Sequence, residues 1–528
     1  MSFRTAAFIV LFALSVSAVA LPVELCAQEP SDRTIEKEGT LSAADTRRKI
    51  ILTVHRVVEL LLRSNTDVKK ALLEYRSASH GLLMYEARYD PLVAGSVEYA
   101  HGRNPDPTVA MTQGQSSDSV RYQIGLQKGF NTGTTLNAGV TGSVQKITGA
   151  GLPVTDVTTY LMDKNLGGMR YQTGVTVQLT QELLRNSFGM SERLSSKKLA
   201  ASARAAKEGI RMKLAALLAD AVVGYWNVAI AEENLRTSRE GLTNTEAIRD
   251  LIGRKARLGL AEGDEVLDWD SRVLQGRNSR DRADKLLFDA RLTMMRTLNL
   301  DPSLEIEVGA TFREDPPSVK VEEALHDAFT MRSDWKAIQA LIAAAEAEYR
   351  IAESEALPSL RLKAAAGSVD VDRRSYPGTL NNVNPVFSTG MEMTYPLGNS
   401  AADTRLKEAR LSLSREKLNA QALEKQIRDE VVSAVKQCET DYEIFRRTRR
   451  AREYAVAYYQ QVLAKFRQGR YSVLQLKLAL DAYLTARYAE LQSLVAYNVS
   501  LLRRDVVRNT VFRDLGIDID GVLRMLDE

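Results

Sequence analysis

The sequence predicts a mixed α and β protein that is internally duplicated and that enters a membrane through β-strands rather than helices. Three observations carry this prediction. Segments of about 10 residues alternate apolar with polar side chains. Two proline-free stretches of roughly 65–70 residues keep a helical period and would each span roughly 100 Å. The same order of elements also occurs twice along the chain.

Composition excludes several other classes. The chain has 528 residues, with 71 Lys and Arg against 67 Asp and Glu and a formal net charge of +4. This balance argues against a nucleic-acid partner, which would favour a basic excess or stripe. Hydrophobic residues make up 45% and charged residues 26%, as in folded, water-facing proteins. Aromatic residues at 6% and a mean hydropathy of −0.23 argue against a polytopic helical membrane protein.

The N-terminus has the pattern of a secretory signal. Arg4 precedes the apolar stretch 6–20, which is too short for a membrane-spanning helix and ends in small residues suited to signal cleavage. We therefore expect a signal peptide within residues 1–27, cut somewhere after positions 20 to 27. Cys26 leaves lipidation open as an alternative.

Two pairs of segments mark the duplication. Residues 67–91 and 334–358 both run from Asp to Pro over the same length with a helical period, 267 positions apart. Further along, Tyr171–Gly174 matches Phe387–Gly390 at an offset of 216 positions. The offset between the copies decreases from 267 to 216 positions across the β region. The first copy therefore carries about 51 additional residues there.

Six segments are predicted to be β-strands. In Tyr171–Leu179 one face carries Tyr, Thr, Val, Val and Leu, and the other carries Gln, Gly, Thr and Gln. The alternation fits a transmembrane strand and equally a half-buried strand of a soluble sheet. The export signal and the Gly-rich polar faces favour the membrane. The expected strands lie at about 91–101, 119–130, 132–146, 169–180, 358–368 and 385–396.

The connections between these strands differ in length. Asn131–Gly133 is a short turn, whereas 102–118 and 147–168 are long loops, a contrast that outer-membrane barrels show. Six strands are too few to close a barrel around a pore, so one chain is expected to share its sheet with copies of itself. Arg361 and Lys363 share one face, where a lumen position would suit their charge. Candidates for interfacial girdles are Tyr89, Tyr99, Phe130, Tyr171, Phe387 and Tyr395.

Long helices supply the other half of each copy. Between about 191 and 258, and between about 402 and 466, apolar residues recur at alternating spacings of three and four, as in coiled-coil seams. Cys438 lies on the second seam and is expected to be a packed hydrophobe rather than a reactive thiol. The shorter helices 264–298 and 334–357, roughly 50 Å and 35 Å long, together nearly match one long helix.

Three motifs carry a family resemblance. The fourth strand leads into Gln181–Gly189, which reads QELLRNSFG, and Gly-containing turns follow at 257–264 and 466–474. In order, spacing and doubling, these features resemble the TolC-type outer-membrane efflux proteins of the outer membrane factor family, over about residues 45–512. The sequence departs from the family pattern at Glu182, where proline is usual.

The resemblance implies a homotrimer whose shared transmembrane β-barrel, in contact with outer-membrane lipid, continues into a long coiled α-helical barrel in the periplasm. Four strands per chain would give 12 in the barrel and six would give 18, and the added hairpin favours 18. In the family the Gly turns dock a periplasmic adaptor protein linked to an inner-membrane pump. The corresponding tip residues are Gly259, Leu260, Ala261, Gly469, Arg470, Tyr471 and Ser472. A plain connecting turn is the alternative for each.

The resemblance also sets the expected divisions of the chain. These are an N-terminal periplasmic segment at 28–66, a first repeat at 67–300 (strands about 91–180, long helix about 190–258, return helix 264–298), a linker at 301–333, a second repeat at 334–512 (strands about 358–396, long helix 402–468, return helix 472–510) and a C-terminal tail at 513–528.

The implied activity is passive conduction with a gate. In the family, aspartates stand six and nine residues past the second turn's glycine, where this chain has Gln475 and Leu478. The same offsets from the first turn's glycine give Glu265 and Asp268, with Asp264 adjacent. Three chains would bring these carboxylates around one axis, where they would attract cations and repel anions. Solvated positions on the outer surface are the alternative.

Enzyme classes find no support in the sequence. Its four histidines are scattered without metal-ligand spacing, and it has no phosphate loop, no Gly-x-Ser-x-Gly elbow and no Cys pair. We therefore expect no catalytic, metal-binding or cofactor-binding residues. A periplasmic or secreted coiled-coil scaffold is the rival hypothesis, although it leaves the doubled β regions unexplained. Drug efflux, metal efflux and type I protein secretion remain open as cargo classes.

Overall fold

The computed structural model describes residues 49–106, 115–148, 168–259, 262–302, 304–309, 312–380, 384–514 and 516. The predicted signal peptide, Cys26 and the end of the tail lie outside these residues. The described strands are β1 Lys49–Leu52, β2 Leu92–Arg103, β3 Ser116–Gly129, β4 Thr134–Thr148, β5 Gly168–Glu182, β6 Glu305–Val308, β7 Ser359–Asp372 and β8 Pro385–Thr394. The helices are α1 Val54–Ser64, α2 Thr66–Ser77, α3 His80–Glu86, α4 Met190–Arg257, α5 Gly263–Thr297, α6 Val321–Met331, α7 Ser333–Glu355, α8 Ser400–Arg467, α9 Val473–Arg508 and α10 Val511–Asp514.

The chain divides into two compact units. The first, which we call the sheet unit, contains Leu82–Lys198 and Glu346–Leu411. The second, the helical unit, contains Ala43–Gly81, Leu199–Ala345 and Ser412–Glu528. Each unit draws on both sequence repeats, so the duplication does not correspond to two separate domains.

The sheet unit is built on one six-stranded antiparallel sheet in the order β2-β3-β4-β5-β7-β8. Each strand begins and ends within four residues of the range expected from alternation. The pairing of β5 with β7 joins the two sequence copies, with Glu182 opposite Arg361. The strands β2 and β8 form the two edges, and no described strand of the chain pairs with their outer sides.

Register separates the sheet into one apolar and one polar face, as the alternation predicts. The apolar face carries Val93, Val97, Tyr99, Val120, Tyr122, Ile124, Leu126, Leu136, Val140, Val175, Val177, Leu179, Leu360, Leu362, Phe387, Met391 and Met393. Many of these side chains are exposed, and Phe387 is 78% exposed in the single chain. The polar face carries Ser96, Glu98, Arg121, Gln123, Asn137, Thr141, Gln172, Thr176, Gln178, Arg361, Lys363, Ser388 and Glu392.

The two ends of the sheet differ in their connections. At one end lies the short β3–β4 turn, closed by a hydrogen bond from the Phe130 amide to the Thr134 carbonyl at 2.9 Å. The chain also enters β2 and β7 from helices at this end, and leaves β5 and β8 into α4 and α8. We call it the helix end. The longer connections lie at the opposite end, which we call the loop end.

The helices have nearly the predicted lengths. Both α4 and α8 contain 68 residues, and the helices that follow them, α5 and α9, contain 35 and 36. Within the described residues, one helical stretch, Ser187–Arg257, is long and apolar enough to cross a membrane, and half of its apolar window is buried inside the protein. Its apolar residues form the core of the helical unit, where Leu218, Ala221 and Tyr225 are at most 1% exposed.

Cys438 has the environment that its place on the seam predicts. It is 1% exposed and packs with Tyr497 and Leu501. Its thiol donates to the Ser500 carbonyl at 3.1 Å, and burial raises the pKa of the thiol. Both effects disfavour the reactive thiolate.

Two features differ from the sequence-based expectation. The segment 67–91, expected to be one helix, is divided into α2 and α3, because Ser77, Ser79 and Gly81 bring three poor helix formers close together. The segment 28–66 and the linker 301–333 were also not expected to pair. The structure joins them through a parallel ladder of β1 with β6, in which Ile50 lies opposite Ile306.

Candidate functional site

The first predicted tip turn follows α4. Gly259 has φ of +68°, and a Cβ built there would meet no atom within 4 Å. Glycine is therefore favoured by the left-handed backbone rather than by lack of space. The amides of Leu258 and Gly259 close the turn on the carbonyls of Lys255 and Ala256 at 3.1 and 3.0 Å. The predicted tip residues Leu260 and Ala261 lie outside the described residues.

The second tip turn brings its four predicted residues together. Gly469 has φ of +76°, and the amide of Arg470 bonds to the Lys465 carbonyl at 2.9 Å. Ser472 caps α9 in a capping box, because its hydroxyl accepts from the Gln475 amide and the Gln475 side chain accepts from the Ser472 amide. Tyr471 lies under the Lys465 ammonium group, 5.1 Å from the ring centre to the nitrogen.

An apolar cluster in the helical unit fixes both turns. Trp269 from α5 is fully buried and packs with Ile252, Phe466, Leu476 and neighbouring apolar residues. These side chains come from α4, α5, α8 and α9, the four helices that meet at the turns. The cluster explains why the turns can present backbone and polar groups at a defined position.

The predicted acidic residues divide into two environments. Asp264 and Glu265 lie in the first turn of α5, where the helix dipole favours carboxylates, and neither forms an ion pair with another described residue. Asp268 instead pairs with Lys477 of α9, at 3.1 Å between carboxylate oxygen and ammonium nitrogen. An acidic ring built from Asp268 would therefore be partly neutralised by Lys477.

Asp268 belongs to a ladder of charges between α5 and α9. Arg272 approaches Asp268 at 3.7 Å and Asp481 at 3.1 Å. Sequence reasoning did not find the partners Lys477 and Asp481. A signal was present, because Asp268 and Lys477, and likewise Arg272 and Asp481, are 209 positions apart. That spacing is one less than the 210 positions between Gly259 and Gly469, so opposite charges lie one residue out of register between the two copies.

A second polar cluster lies on α4 and α9, further from the tip turns than the charge ladder. The Tyr483 hydroxyl donates to Glu240 at 2.8 Å, and Arg487 pairs with the same carboxylate. Burial works to raise the pKa of Glu240, but the hydrogen bonds from Tyr483 and Arg487 outweigh it, so the pKa is lowered. Glu490 differs, because burial raises the pKa of its carboxyl despite the nearby Arg452.

Two ion pairs lie on the polar face of the sheet at its helix end. Arg361 pairs with Glu182 at 2.9 Å, and Lys363 pairs with Glu392. Register confirms that Arg361 and Lys363 share this face, as predicted. The pairs join three adjacent strands, β5, β7 and β8.

Glu192 holds the entry to the sheet against the start of α4. It accepts hydrogen bonds from the hydroxyls of Tyr85 and Tyr89, both at 2.9 Å, and pairs with Arg88. Burial raises the pKa of both tyrosine hydroxyls, so they remain donors at neutral pH. Sequence reasoning gave no role to Glu192, because its partners lie about a hundred residues earlier in the chain.

The described part of the chain holds no group of three or more His, Cys, Asp or Glu side chains arranged to bind a metal ion. The features that stand out are the two tip turns, the charge ladder beside them, and the two-faced sheet.

Comparisons with known proteins agree with this architecture. No family model matches the chain. Protein CyaE of Bordetella pertussis is 26% identical over 208 residues, which cover 38% of this chain and 44% of CyaE, so the match spans about half the length of that relative. The solved outer-membrane channel OprN aligns with a TM-score of 0.62 and 19% identity, covering 88% of this chain and 89% of that one. The Campylobacter jejuni CmeC outer membrane channel aligns at 0.65 and 14%, covering 89% of each chain. The chain therefore has the fold of these channels, which confirms the predicted fold class.

Proposed function

We propose that the protein is an outer-membrane channel, the passive exit duct of a tripartite efflux or type I secretion system. The observation that carries the proposal is the six-stranded sheet, with one exposed apolar face, one polar face and two open edges. The shared fold with outer-membrane channels supports it.

The open edges of the sheet would be paired by the edge strands of further copies of the same chain. An unpaired edge strand is a template for further pairing, and barrels remove edges altogether. Three chains of six strands form a barrel of 18, in which β2 of one chain pairs with β8 of the next. A barrel of this size encloses an aqueous channel.

In this proposal the sheet unit lies in the outer membrane, with its apolar face against lipid, and the helical unit lies in the periplasm. The tip turns around Gly259 and Gly469 dock the periplasmic adaptor protein. The channel has no energy source of its own, so an inner-membrane pump drives the cargo. The export signal expected within residues 1–27 agrees with this location.

Fractionation of the full-length protein tests the proposal against the coiled-coil scaffold. The channel hypothesis predicts that the protein bands with outer-membrane vesicles on a sucrose gradient and requires detergent for release. It also predicts that mild detergent extracts a trimer by light scattering. A protein released with the periplasmic fraction by osmotic shock, without detergent, would contradict the proposal and favour the scaffold.

A further inference from the structure

The middle of the polar face is lined by uncharged side chains, many of them small. One row runs across all six strands in register and consists of Ala94, Gly125, Gly139, Thr176, Gly367 and Val386. The row toward the loop end consists of Ser96, Gln123, Thr141, Gly174 and Val369. The row toward the helix end consists of Leu92, Gln127, Asn137, Gln178, Ala365 and Ser388. We call these three rows the neutral belt.

Charges on this face lie on both sides of the neutral belt, and most have an opposite charge beside them. Toward the loop end, Glu98 lies directly opposite Arg121. Toward the helix end are the two ion pairs already described, of Arg361 with Glu182 and of Lys363 with Glu392. Arg170, nearer the loop end, adds one further cation on this face.

Aromatic side chains are confined to the other face. Within the described strands, Tyr99, Tyr122, Tyr171 and Phe387 all belong to the apolar face. Sites that hold small molecules use aromatic walls and a few placed charges, and ion-selective pores use rings of like charge. The polar face has neither arrangement over the length of the neutral belt.

We propose that the polar face forms an electrically neutral lumen that passes cationic and anionic solutes alike. Apart from Arg170 near the loop end, the charges of this face are balanced by cross-strand pairing, so charge selection lies outside the neutral belt. This inference rests on the proposed function, because it takes the polar face to be the lumen.

Thiol reporters on the two faces test the neutral lumen separately from the proposed function, which assigns the apolar face to lipid. Thr180→Cys places a thiol on the polar face, directly opposite Lys363, and Leu179→Cys places one on the apolar face next to it. The full-length protein in lipid nanodiscs is treated with a cationic and an anionic methanethiosulfonate reagent, and each rate is divided by that of a free thiol. The unsubstituted protein gives the background, and Cys438 is buried.

The neutral lumen predicts that Thr180→Cys reacts with both reagents at normalised rates within about twofold of each other. Glu392→Gln, added to the reporter, leaves Lys363 without its carboxylate. The ratio of anionic to cationic rates should then rise about tenfold, because an uncompensated charge about 5 Å away favours one sign and disfavours the other. Glu98→Gln is the matched control. It lies about 25 Å away along the strands, beyond the screening length of physiological salt, and should leave the ratio unchanged.

Each outcome has a distinct meaning. A ratio at Thr180→Cys already displaced tenfold in the parent background, or one that Glu392→Gln does not move, would overturn the neutral lumen. Equal reactivity of Leu179→Cys and Thr180→Cys would instead contradict the assignment of one face to lipid, and with it the proposed function.

Discussion

The connection from β5 to α4 depends on a few residues whose backbone has the left-handed conformation. Asn186 and Phe188 have φ of +57° and +44°, which is uncommon for residues other than glycine. Gly189 has φ of +77°, and a Cβ there would lie 1.9 Å from the Asn131 carbonyl oxygen. Gly133 is also confined, though less tightly, because a Cβ there would lie 2.9 Å from the Gly189 amide nitrogen. The β3–β4 turn and the strand-to-helix elbow therefore fit together only because both positions lack a side chain.

Gly189→Ala should be strongly destabilising. The new methyl group meets a backbone oxygen that cannot rotate away, and alanine disfavours the left-handed conformation, so we expect a loss of about 2–4 kcal/mol. Thermal unfolding followed by circular dichroism measures it as a lower midpoint. Gly209→Ala, in the interior of α4 where a Cβ meets nothing within 4 Å, is the control and should be neutral or slightly stabilising. Equal midpoints for both variants would contradict the close fit.

Glu240 should make a pH-dependent contribution to stability. Its folded pKa is lowered below the unfolded value of about 4.3, so its contribution is present above that pH and is lost as the pH falls through the folded pKa. Glu240→Gln should cost about 1 kcal/mol at pH 7, a modest value because the side chain is 40% exposed. The difference in unfolding midpoint from the parent should shrink as the pH falls below the unfolded value of about 4.3 and through the lowered folded pKa.

Glu443→Gln is the control for this pH series. Glu443 forms a pair with Arg446 one turn along α8, and both side chains are more than 40% exposed. Such a pair contributes little, so the variant should follow the parent at every pH. A Glu240→Gln deficit that stays constant down to pH 3 would show that packing, not charge, is lost at this position.

At the scale of the elements, most of the architecture follows from the periodicity of apolar residues and from the positions of turn-forming and helix-breaking residues. Alternation located all six strands of the sheet, and the coiled-coil spacing located α4 and α8. The ladder of β1 with β6 could not be predicted, because each strand has four residues and its partner lies about 250 positions away. A segment that short has too few alternating positions to be distinguished from coil.

The tip shows the same division between local and distant information. The Gly turns and the capping box at Ser472 are local signals, and the structure places both where the sequence predicts turns. The pairing of Asp268 with Lys477 depends on how α5 and α9 align, which single-helix patterns do not report. The 209-residue spacing shared by the two pairs became recognisable only once the contacts of α5 with α9 were known.

The acidic tip should influence ion selectivity through two unequal residues. Glu265→Gln removes a carboxylate without a described partner, whereas Asp268→Asn also releases the positive charge of Lys477. Each variant removes one negative charge per chain, so we expect both to lower cation preference. Reversal potentials in a KCl gradient across a planar bilayer measure the change.

The control for the tip variants is Asp281→Asn. Asp281 lies 13 residues beyond Asp268 on α5 and pairs with Arg280. The control variant should leave the reversal potential unchanged. If Glu265→Gln and Asp268→Asn also leave it unchanged, these carboxylates do not face the conducting path.

At the scale of the whole molecule, the sheet and the helical unit differ in how much of their apolar surface the single chain buries. The sheet leaves its apolar face exposed and its edges open, so it is incomplete as a single chain. The helical unit buries its own apolar clusters and places charges between neighbouring helices. In the proposed function, assembly is therefore most strongly required in the sheet, where the exposed apolar face and the unpaired edges would be covered by lipid and by neighbouring chains.

The strand count should be visible in the width of the barrel. With strands about 4.8 Å apart and tilted by about 40°, 18 strands give a barrel about 35 Å across between backbones, whereas 12 give about 24 Å. Electron microscopy of the detergent-extracted full-length protein should show a three-fold particle with the wider barrel inside its detergent belt. A three-fold particle with the narrower barrel would mean that two strands of each sheet do not join the wall. In that case the additional hairpin of the first repeat would be the segment to examine, because its removal restores four strands per chain.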